Sequence, residues 1–355
     1  MRDRAGLLRG EHTAMTGPMW LNLALIAFTA AVFRSAPALA RPTLPFGVRI
    51  PAGHTAEPVI VLIRRRYNQG IVAAALLAIA AVLFAWLAPD VVLIGLVVAC
   101  SLLGALAHRS IVAAKREGAW YAGTRQAVAA DTSLRADPVR PQWILLVPAG
   151  LLAIVTAAIG LFRDTAAFSP VFAQVLTVVL ISLLAISIPR ARPEIDAAQP
   201  SVSASRYREY LHGVLSLLLV SAGCVNATLL VVSLQLWEVV ETSVPVTIVA
   251  YLPLVAAFVA WLAFSVRAGD AGHRLSPTVD EAETPYEQRD DDRFWHAAGM
   301  VYLNRNDPAL LVHRRVGTYW TLNLGHPIAW LVLSAVAVAG VLAGTGVVTL
   351  TTKGA

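Results

Sequence analysis

Long apolar stretches alternate with polar ones along almost the whole chain. Eight of them approach or exceed the length of about 20 residues that a helix needs to cross the hydrocarbon core of a membrane. Because a chain in lipid must satisfy its backbone polar groups internally, we predict that all eight are helices. The segments are Met19–Phe33, Gly70–Leu87, Val91–Ala107, Trp143–Phe162, Val171–Ile188, Leu211–Leu236, Val246–Val266 and Ile328–Leu350.

The first segment has a second interpretation. Three arginines precede it, and Ala38-Leu39-Ala40 resembles the cleavage site of a secretory signal peptide. Arg34 interrupts the apolar run before that site, and cleavage would place the next loop outside, against the charge pattern described below. We therefore favour a retained helix, with a cleaved signal as the alternative.

Composition also indicates a membrane protein. The chain has 355 residues, of which 57% are hydrophobic and only 14% charged, and its mean hydropathy is +0.66. Soluble domains carry about 25% charged residues. The net charge of +6 lies in loops beside apolar segments, so we expect contact with the bilayer and anionic lipid headgroups and no direct contact with nucleic acid. Cys100 and Cys224 lie within apolar segments, where we interpret them as packing residues.

The basic residues are distributed unevenly between the loops. Most of the 28 lysines and arginines lie in the first, third, fifth and seventh loops, and the even-numbered loops are almost bare of them. Since basic loops stay in the cytoplasm, we predict a multi-pass plasma-membrane protein with cytoplasmic large loops and both termini outside. The three N-terminal arginines are the exception to this pattern.

The longest polar stretch precedes the last apolar segment and divides the chain into four regions. Residues 1–266 form a seven-helix membrane region with cytoplasmic loops at 34–69, 108–142 and 190–210. Residues 267–290 have the composition of an acidic, flexible linker, 291–327 that of a small folded module, and 328–355 contain the last helix and a tail. The predicted fold class is an all-α polytopic membrane protein of about eight transmembrane helices, with a small mixed hairpin-like cytoplasmic module before the last helix.

The module contains two predicted strands and two predicted turns. The strands are 310–312 and 319–324, and Gly317 marks the turn between them. The other turn lacks the ligand spacing of a calcium-binding loop. We therefore interpret the polar side chains of that turn as turn formers. They belong to Asn304, Asn306 and Asp307, followed by Pro308.

Two membrane-proximal loops carry candidate binding residues. In the first, Gly47 permits a turn, Pro51 stops a helix, and Arg49 between them could bind a phosphate or carboxylate. The charge bias alone favours a simpler interpretation, a basic loop that lies against anionic lipid. A capped turn with an internal ion pair explains the third-loop candidates as well as a polar ligand does. These candidates are Asp131, Thr132, Ser133 and Arg135.

The apolar segments contain few functional signals. For Asn226 in the sixth segment we prefer a hydrogen bond to a neighbouring helix over the lining of a pore or substrate path. Gly340 and Gly344 form a G-x-x-x-G face through which copies of the chain could form a homo-oligomer. The sequence has no metal-ligand, nucleotide-binding or nucleophile motif. We therefore expect no catalytic residue, no cofactor and no bound metal, and we expect that the protein is not an enzyme.

The module and three loop motifs carry a family resemblance. The pattern W-x-x-x-G-x-x-Y-x-N-R-x-D-P-x-L at Trp295–Leu310, followed by R-x-G-x-x-W-T-x-N at Arg315–Asn323, resembles the small module catalogued as domain of unknown function 5808. LPFGVRIP, DTSLRADP and ARPEID resemble the rest of an uncharacterised actinobacterial multi-pass family that carries this module. This resemblance implies no reaction. Its candidate residues in the module are Trp295, Asn304, Asp307, Pro308, Arg315, Gly317, Trp320 and Asn323.

A more distant resemblance adds a functional expectation. G-V-R-I-P, with the arginines that follow and Tyr67, is similar to a loop of Sdp-type immunity and signalling membrane proteins, which sense or neutralise a toxin. The chain departs from that pattern after Pro51. We expect a non-enzymatic sensor, regulatory or immunity-type membrane protein that acts through its cytoplasmic loops on a cytoplasmic protein partner. The alternative is a transporter or exporter of an apolar compound, for which the lack of charge within the helices is no handicap.

Overall fold

The computed structural model describes residues 16–84, 87–129, 133–163, 168–280, 282–317 and 319–344. Within this part of the chain, seven helices are long and apolar enough to cross a membrane. Their length and composition indicate a multi-pass membrane protein. They are α1 (Thr16–Leu39), α2 (Pro58–Leu83), α3 (Pro89–Glu117), α5 (Val147–Phe162, preceded by a 3-10 turn at Trp143–Leu146), α6 (Ser169–Ser187), α7 (Pro200–Leu236) and α8 (Val244–Ala268).

The described residues contain two further α-helices. A short helix, α4, covers Ser133–Ala136. The last helix, α9 (Pro327–Gly344), corresponds to the eighth predicted segment, and residues 345–350 of that segment lie outside the described residues. Gly340 and Gly344 both lie in α9.

Several helices extend well beyond the apolar segments that predicted them. α2 begins at Pro58 rather than near Gly70, and α7 begins at Pro200 rather than near Leu211. Hydropathy identifies only the part of a helix that lies in lipid, and polar turns at its end continue the same backbone hydrogen bonds. α3 also continues beyond its apolar segment and ends at Glu117. Gly118 follows, and the Trp120 ring packs so closely on it that a Cβ there would lie 2.3 Å from the indole nitrogen.

The described residues also contain six short strands outside the helices. They are β1 (Gln126–Ala127), β2 (Glu287–Gln288), β3 (Trp295–His296), β4 (Val301–Tyr302), β5 (Leu311–His313) and β6 (Trp320–Leu322). β1 pairs with β2 in parallel. β5 pairs with β6 in antiparallel register, with Val312 opposite Thr321.

The chain divides into two compact units. The first consists of the described parts of residues 1–125 together with 289–300 and 315–317, and the second of those of 126–288, 301–314 and 318–355. In the first unit, α1, α2 and α3 pack on one another. Their buried apolar side chains include Ile71 and Cys100, and the Tyr67 hydroxyl donates to the carbonyl of Phe33 at 2.9 Å.

In the second unit, α7 is the central helix and packs against α5, α6 and α8. Two fully buried amides connect three of these helices. Asn226 Nδ2 of α7 donates to the carbonyl of Ala149 in α5 at 2.9 Å, and Gln174 Nε2 of α6 donates to the carbonyl of Asn226, also at 2.9 Å. The preferred interpretation of Asn226, a hydrogen bond to a neighbouring helix, is confirmed. In this setting Asn226 stabilises helix packing.

Candidate functional site

A tight turn in the first loop shapes the candidate site of the first unit. Residues Pro45–Gly47 form a 3-10 turn in which Phe46 has a φ of 49° and Gly47 a φ of 77°. A Cβ at Gly47 would lie 2.6 Å from the carbonyl oxygen of Ala298. The turn therefore needs glycine twice over, for its left-handed backbone and for its close approach to residues 298 and 299. The predicted turn at Gly47 is confirmed.

Beyond this turn, two arginines converge on two aspartates. Arg49 Nε donates to Asp291 Oδ1 at 2.9 Å, and the Arg49 backbone N–H donates to Asp292 Oδ1 at 3.0 Å. Arg315 donates to both carboxylates and to the carbonyl of Gly47 at 3.1 Å. The Arg315 side chain is only 1% exposed. The first loop and two separate stretches of the long insert thus meet at charged hydrogen bonds, which are the stronger kind.

A third cation, from helix α3, completes the set. Lys115 Nζ lies 2.7 Å from Asp290 Oδ2 and 2.6 Å from Asp292 Oδ2. The ring of Trp295 lies beneath the Arg315 guanidinium at 5.1 Å, and its indole N–H donates to Asp291 at 3.3 Å. We call the six charged residues the aspartate cluster: Arg49, Lys115, Asp290, Asp291, Asp292 and Arg315. Its formal charges balance, three against three.

The cations keep Asp292 ionised. Burial alone would raise the pKa of this carboxyl, but the positive charges and hydrogen bonds of Arg315 and Lys115 outweigh burial and lower the pKa below the ordinary value of 3.8. A carboxyl group of this kind cannot supply a proton at neutral pH. The aspartate cluster is therefore suited to holding segments of chain together rather than to acid–base chemistry.

The second unit contains its own polar centre around Asp307. Asp307 Oδ2 accepts from Arg192 Nη1 at 2.5 Å and from the Tyr302 hydroxyl at 3.0 Å. The Arg192 guanidinium also lies 4.8 Å above the Tyr302 ring. Burial opposes the charged form of Arg192, but the nearby Glu194, Tyr302 and Asp307 outweigh it and raise the pKa of Arg192. Burial raises the pKa of Tyr302, so its hydroxyl stays protonated as a donor.

Asn323 ties the neighbouring turn to the sheet. Its Oδ1 accepts from the backbone N–H groups of Asn304 and Gly325 at 3.0 Å each, and its Nδ2 donates to the carbonyls of Asn304 and Asp307 at 2.9 and 3.0 Å. Asn304 Oδ1 in turn accepts from the N–H of Asn306, and Asp307 Oδ1 from that of Ala309. The turn interpretation is confirmed for Asn304 and Asp307, because the Oδ1 atom of each accepts from the backbone N–H two residues further on.

A buried histidine lies nearby in the second unit. His313 is 1% exposed, and its Nε2 lies 3.7 Å from Asp270 Oδ1. The ring packs edge-on against Tyr207, Tyr210 and Trp320 at centroid distances of 6.0, 5.9 and 5.4 Å. Trp320 Nε1 also faces the Tyr207 hydroxyl at 3.3 Å. These ring contacts hold β5 and β6 against the N-terminal part of α7. The loop charges predict that this end of α7 is cytoplasmic.

Much of this second network falls in one short segment. Residues 305–330 match a Family of unknown function (DUF5808). The match supports the resemblance seen in the C-terminal motif. It includes Asp307, Pro308, Arg315, Gly317, Trp320 and Asn323, whereas Trp295 and Asn304 precede it. Comparison with the curated proteins and with the solved structures finds no match to the chain.

The structure brings together most of the candidates from the first loop and the module. Gly47, Arg49, Trp295 and Arg315 meet in the first unit, and Asn304, Asp307 and Asn323 meet in the second. Pro51 is buried at the start of the 3-10 turn Ala52–His54, and Gly317 has a φ of 85° in a bend.

The third-loop candidates are described only in part. Asp131 and Thr132 lie outside the described residues, and Ser133 and Arg135 lie in α4 with side chains outside the description. Whether this loop binds a polar ligand stays a prediction.

Sequence reasoning missed several members of both networks. In the sequence, Lys115 is one of several basic residues in the third loop. Asp290 ends the predicted acidic linker, and Asp291 and Asp292 begin the predicted module. Asp290, Asp291 and Asp292 are separated from Phe294 and Trp295 only by Arg293, and this closeness to the aromatic residues of the predicted module was a usable signal. Arg192 stood within the ARPEID motif, and Tyr302 within the module pattern, without being singled out.

Proposed function

We propose that this protein is a non-enzymatic regulator of the plasma membrane, of the sensor or immunity type, which acts on a soluble protein partner through its cytoplasmic loops. The proposal includes eight transmembrane helices, with α9 as the last, and places both termini outside. The concentration of basic residues in the odd-numbered loops supports this orientation. The Sdp-like G-V-R-I-P loop supports the immunity or signalling type.

The observation that carries the proposal is that the arginines of the motifs are paired with aspartates inside the protein. Arg49 and Arg315, two of the most distinctive polar residues, are buried and donate to Asp291 and Asp292. These bonds fix the first loop and the long insert into one surface. A surface held rigidly by internal ion pairs is a means of recognition, whereas an active site requires polar groups directed at a substrate.

The part of the module that lies in the second unit supplies an exposed aromatic side chain. In residues 291–327, the β5–β6 pair and the Asn323-centred turn form a compact framework. Next to β6, Tyr319 is 60% exposed. Exposed aromatic side chains on a rigid framework are frequent anchors of protein–protein interfaces.

Site-specific photo-crosslinking in intact cells tests the proposal. Replacement of Tyr319 by benzoylphenylalanine retains an aromatic ring and should give a crosslink to one soluble protein. The matched control is the same replacement at Tyr251, which is 51% exposed on α8 and predicted to face lipid. We expect no soluble adduct from that position, and we expect deletion of the protein to change transcription.

Two results together would sink the proposal. One is that Tyr319 and Tyr251 give the same adducts, and the other is that deletion leaves the transcript profile unchanged. Protein level in the membrane, measured on the same samples, ensures that both replacements are compared at equal abundance.

A further inference from the structure

A groove runs along one face of α3 in the first unit. Its volume is about 630 Å³. One wall is a face of α3, whose lining residues recur every three or four positions. The other wall is β3 together with the turn that follows it. We call it the α3 groove. Its lining residues are Ser101, Ala105, His108, Arg109, Val112, Ala113, Arg116, Trp295, His296, Ala297, Ala298 and Met300.

The lining combines apolar surface with positive charge. Ala105, Val112, Trp295 and Met300 supply apolar contacts, and the two arginines 109 and 116 are exposed. None of the described lining residues is acidic. Neither arginine has an ion-pair partner among the described residues, unlike Arg49 and Arg315 nearby. The groove is therefore complementary to a ligand that is anionic at one end and apolar at the other.

The position of the groove matches the edge of a membrane. The uncharged run of α3 ends at Ala107, so Ser101 and Ala105 belong to its apolar part and Arg109 comes two residues after it. At about 1.5 Å of rise per residue, Arg109 and Arg116 lie roughly 10 Å apart along the helix axis. The lining thus passes from hydrocarbon depth to the headgroup region and beyond it, as the length of a phospholipid requires.

We propose that the α3 groove binds one anionic phospholipid, whose acyl chain lies against Ser101 and Ala105 at the apolar end of the groove and whose phosphate pairs with Arg109 and Arg116. A guanidinium can present two parallel N–H donors to phosphate oxygens, which gives geometric selectivity as well as charge. The loop charges place this end of α3 in the cytoplasmic leaflet, where anionic lipids are enriched. This inference stands apart from the proposed soluble partner, and either can fail alone.

The lipid would lie next to the aspartate cluster, because one residue contacts both. Trp295 lines the α3 groove, and the same side chain stacks under Arg315 and donates to Asp291. His108, also in the lining, bonds through Nδ1 to the carbonyl of Phe46 at 2.8 Å, beside the Gly47 turn. A bound lipid would therefore hold both walls of the groove in place, at His108 on α3 and at Trp295 on β3.

Native mass spectrometry of the full-length protein with phosphatidylglycerol, and separately with phosphatidylcholine, tests this site. The variant R109Q/R116Q removes the two charges of the groove. The matched control R65Q/R66Q removes two exposed charges from α2, which do not line the groove. Each basic residue near an anionic lipid contributes about a fivefold gain in affinity, so we expect about a 30-fold weakening for R109Q/R116Q. The control variant should bind as the wild type does.

A second variant and a competitor make the outcome decisive. Ala113 is exposed within the groove, so A113W fills it without changing charge and should also abolish the bound phosphatidylglycerol. Inorganic phosphate should not displace the lipid, because it lacks the acyl chain.

Equal weakening by both double variants, or wild-type binding in A113W, would overturn the site. Displacement by inorganic phosphate would replace the lipid by a soluble phosphate ligand and overturn it as well. A single symmetric peak on gel filtration is required of every variant, and the R109Q/R116Q and A113W variants test the site independently of each other.

Discussion

At the scale of single residues, Asp292 holds more of the first unit together than its position in an acidic run suggests. Its carboxylate accepts from Lys115, from Arg315 and from the backbone of Arg49. The D292N variant keeps the shape but removes the charge, which leaves two partly or fully buried cations short of a partner. Lys115 keeps Asp290 and Arg315 keeps Asp291. Loss of a charged hydrogen-bond partner costs about 1.5–3 kcal/mol, so we expect the free energy of unfolding to fall by about that amount at neutral pH.

The pH dependence of this difference follows from the lowered pKa of Asp292. Because the folded-state pKa lies below the ordinary value of 3.8, the unfolded state takes up its proton first as the pH falls. The stabilisation by Asp292 is therefore complete above that value and is lost as the pH falls through the lower folded-state pKa. Wild type and D292N should differ most at neutral pH and converge in strong acid.

Equilibrium unfolding in mixed detergent micelles, followed by tryptophan fluorescence, measures both effects. D137N is the matched control, because Asp137 is 76% exposed and lies 3.5 Å from Arg208 in a surface ion pair. Such pairs contribute little, so D137N should be close to wild type. A D292N variant as stable as D137N would mean that the aspartate cluster does not stabilise the fold.

At the scale of elements, the Gly47 turn determines whether the first loop can approach the insert. Alanine at this position would keep a φ of 77° only with strain, and its Cβ would lie 2.6 Å from Ala298 oxygen and 2.9 Å from Val316. A left-handed non-glycine residue costs about 1–3 kcal/mol before any clash is counted. We expect G47A to lower the melting temperature in detergent and to expose Trp295 to soluble fluorescence quenchers.

The same loop supplies a control for this change. Gly53 lies six residues further on, and a Cβ there would meet nothing within 4 Å. G53A should leave stability unchanged or raise it slightly, since alanine restricts the unfolded chain. If G47A and G53A melt alike, the close approach at Gly47 is not what organises the loop.

The elements also show how far the sequence alone could lead. Uncharged runs were enough to locate the seven long helices, because lipid imposes one rule on every segment that crosses it. The turns at Gly47 and at Asn304–Asp307 were predictable as well, since they depend on local backbone chemistry. The polar extensions of α2 and α7 were not, because hydropathy carries no information on a helix that continues into water.

The contacts of the candidate site were mostly beyond such reasoning. Lys115 and Asp292 are separated by 177 positions, and nothing in their own neighbourhoods specifies that they pair. The sequence showed Arg49 as a guanidinium available to a ligand, whereas the structure gives it Asp291 as an internal partner. Long-range charge pairing depends on the folded path of the chain, which periodicity and composition do not contain.

At the scale of the whole molecule, the distribution of basic residues makes one prediction on which the proposed function depends. If the positively charged loops are cytoplasmic, the loop after α7 faces outward and the long insert faces inward. Thr242 in the former and Glu283 in the latter are both exposed, so cysteines at these positions can react wherever reagent reaches them.

Single cysteines T242C and E283C, in a background carrying C100A and C224A, separate the two orientations. A membrane-impermeant maleimide applied to intact cells should label T242C and spare E283C, and permeabilised cells should label both, which shows that each site is reactive. The opposite pattern would place the insert outside. The aspartate cluster would then build an external face, the soluble partner would have to be an extracellular one, and the arginines of the α3 groove would lie in the leaflet that is poorer in anionic lipid.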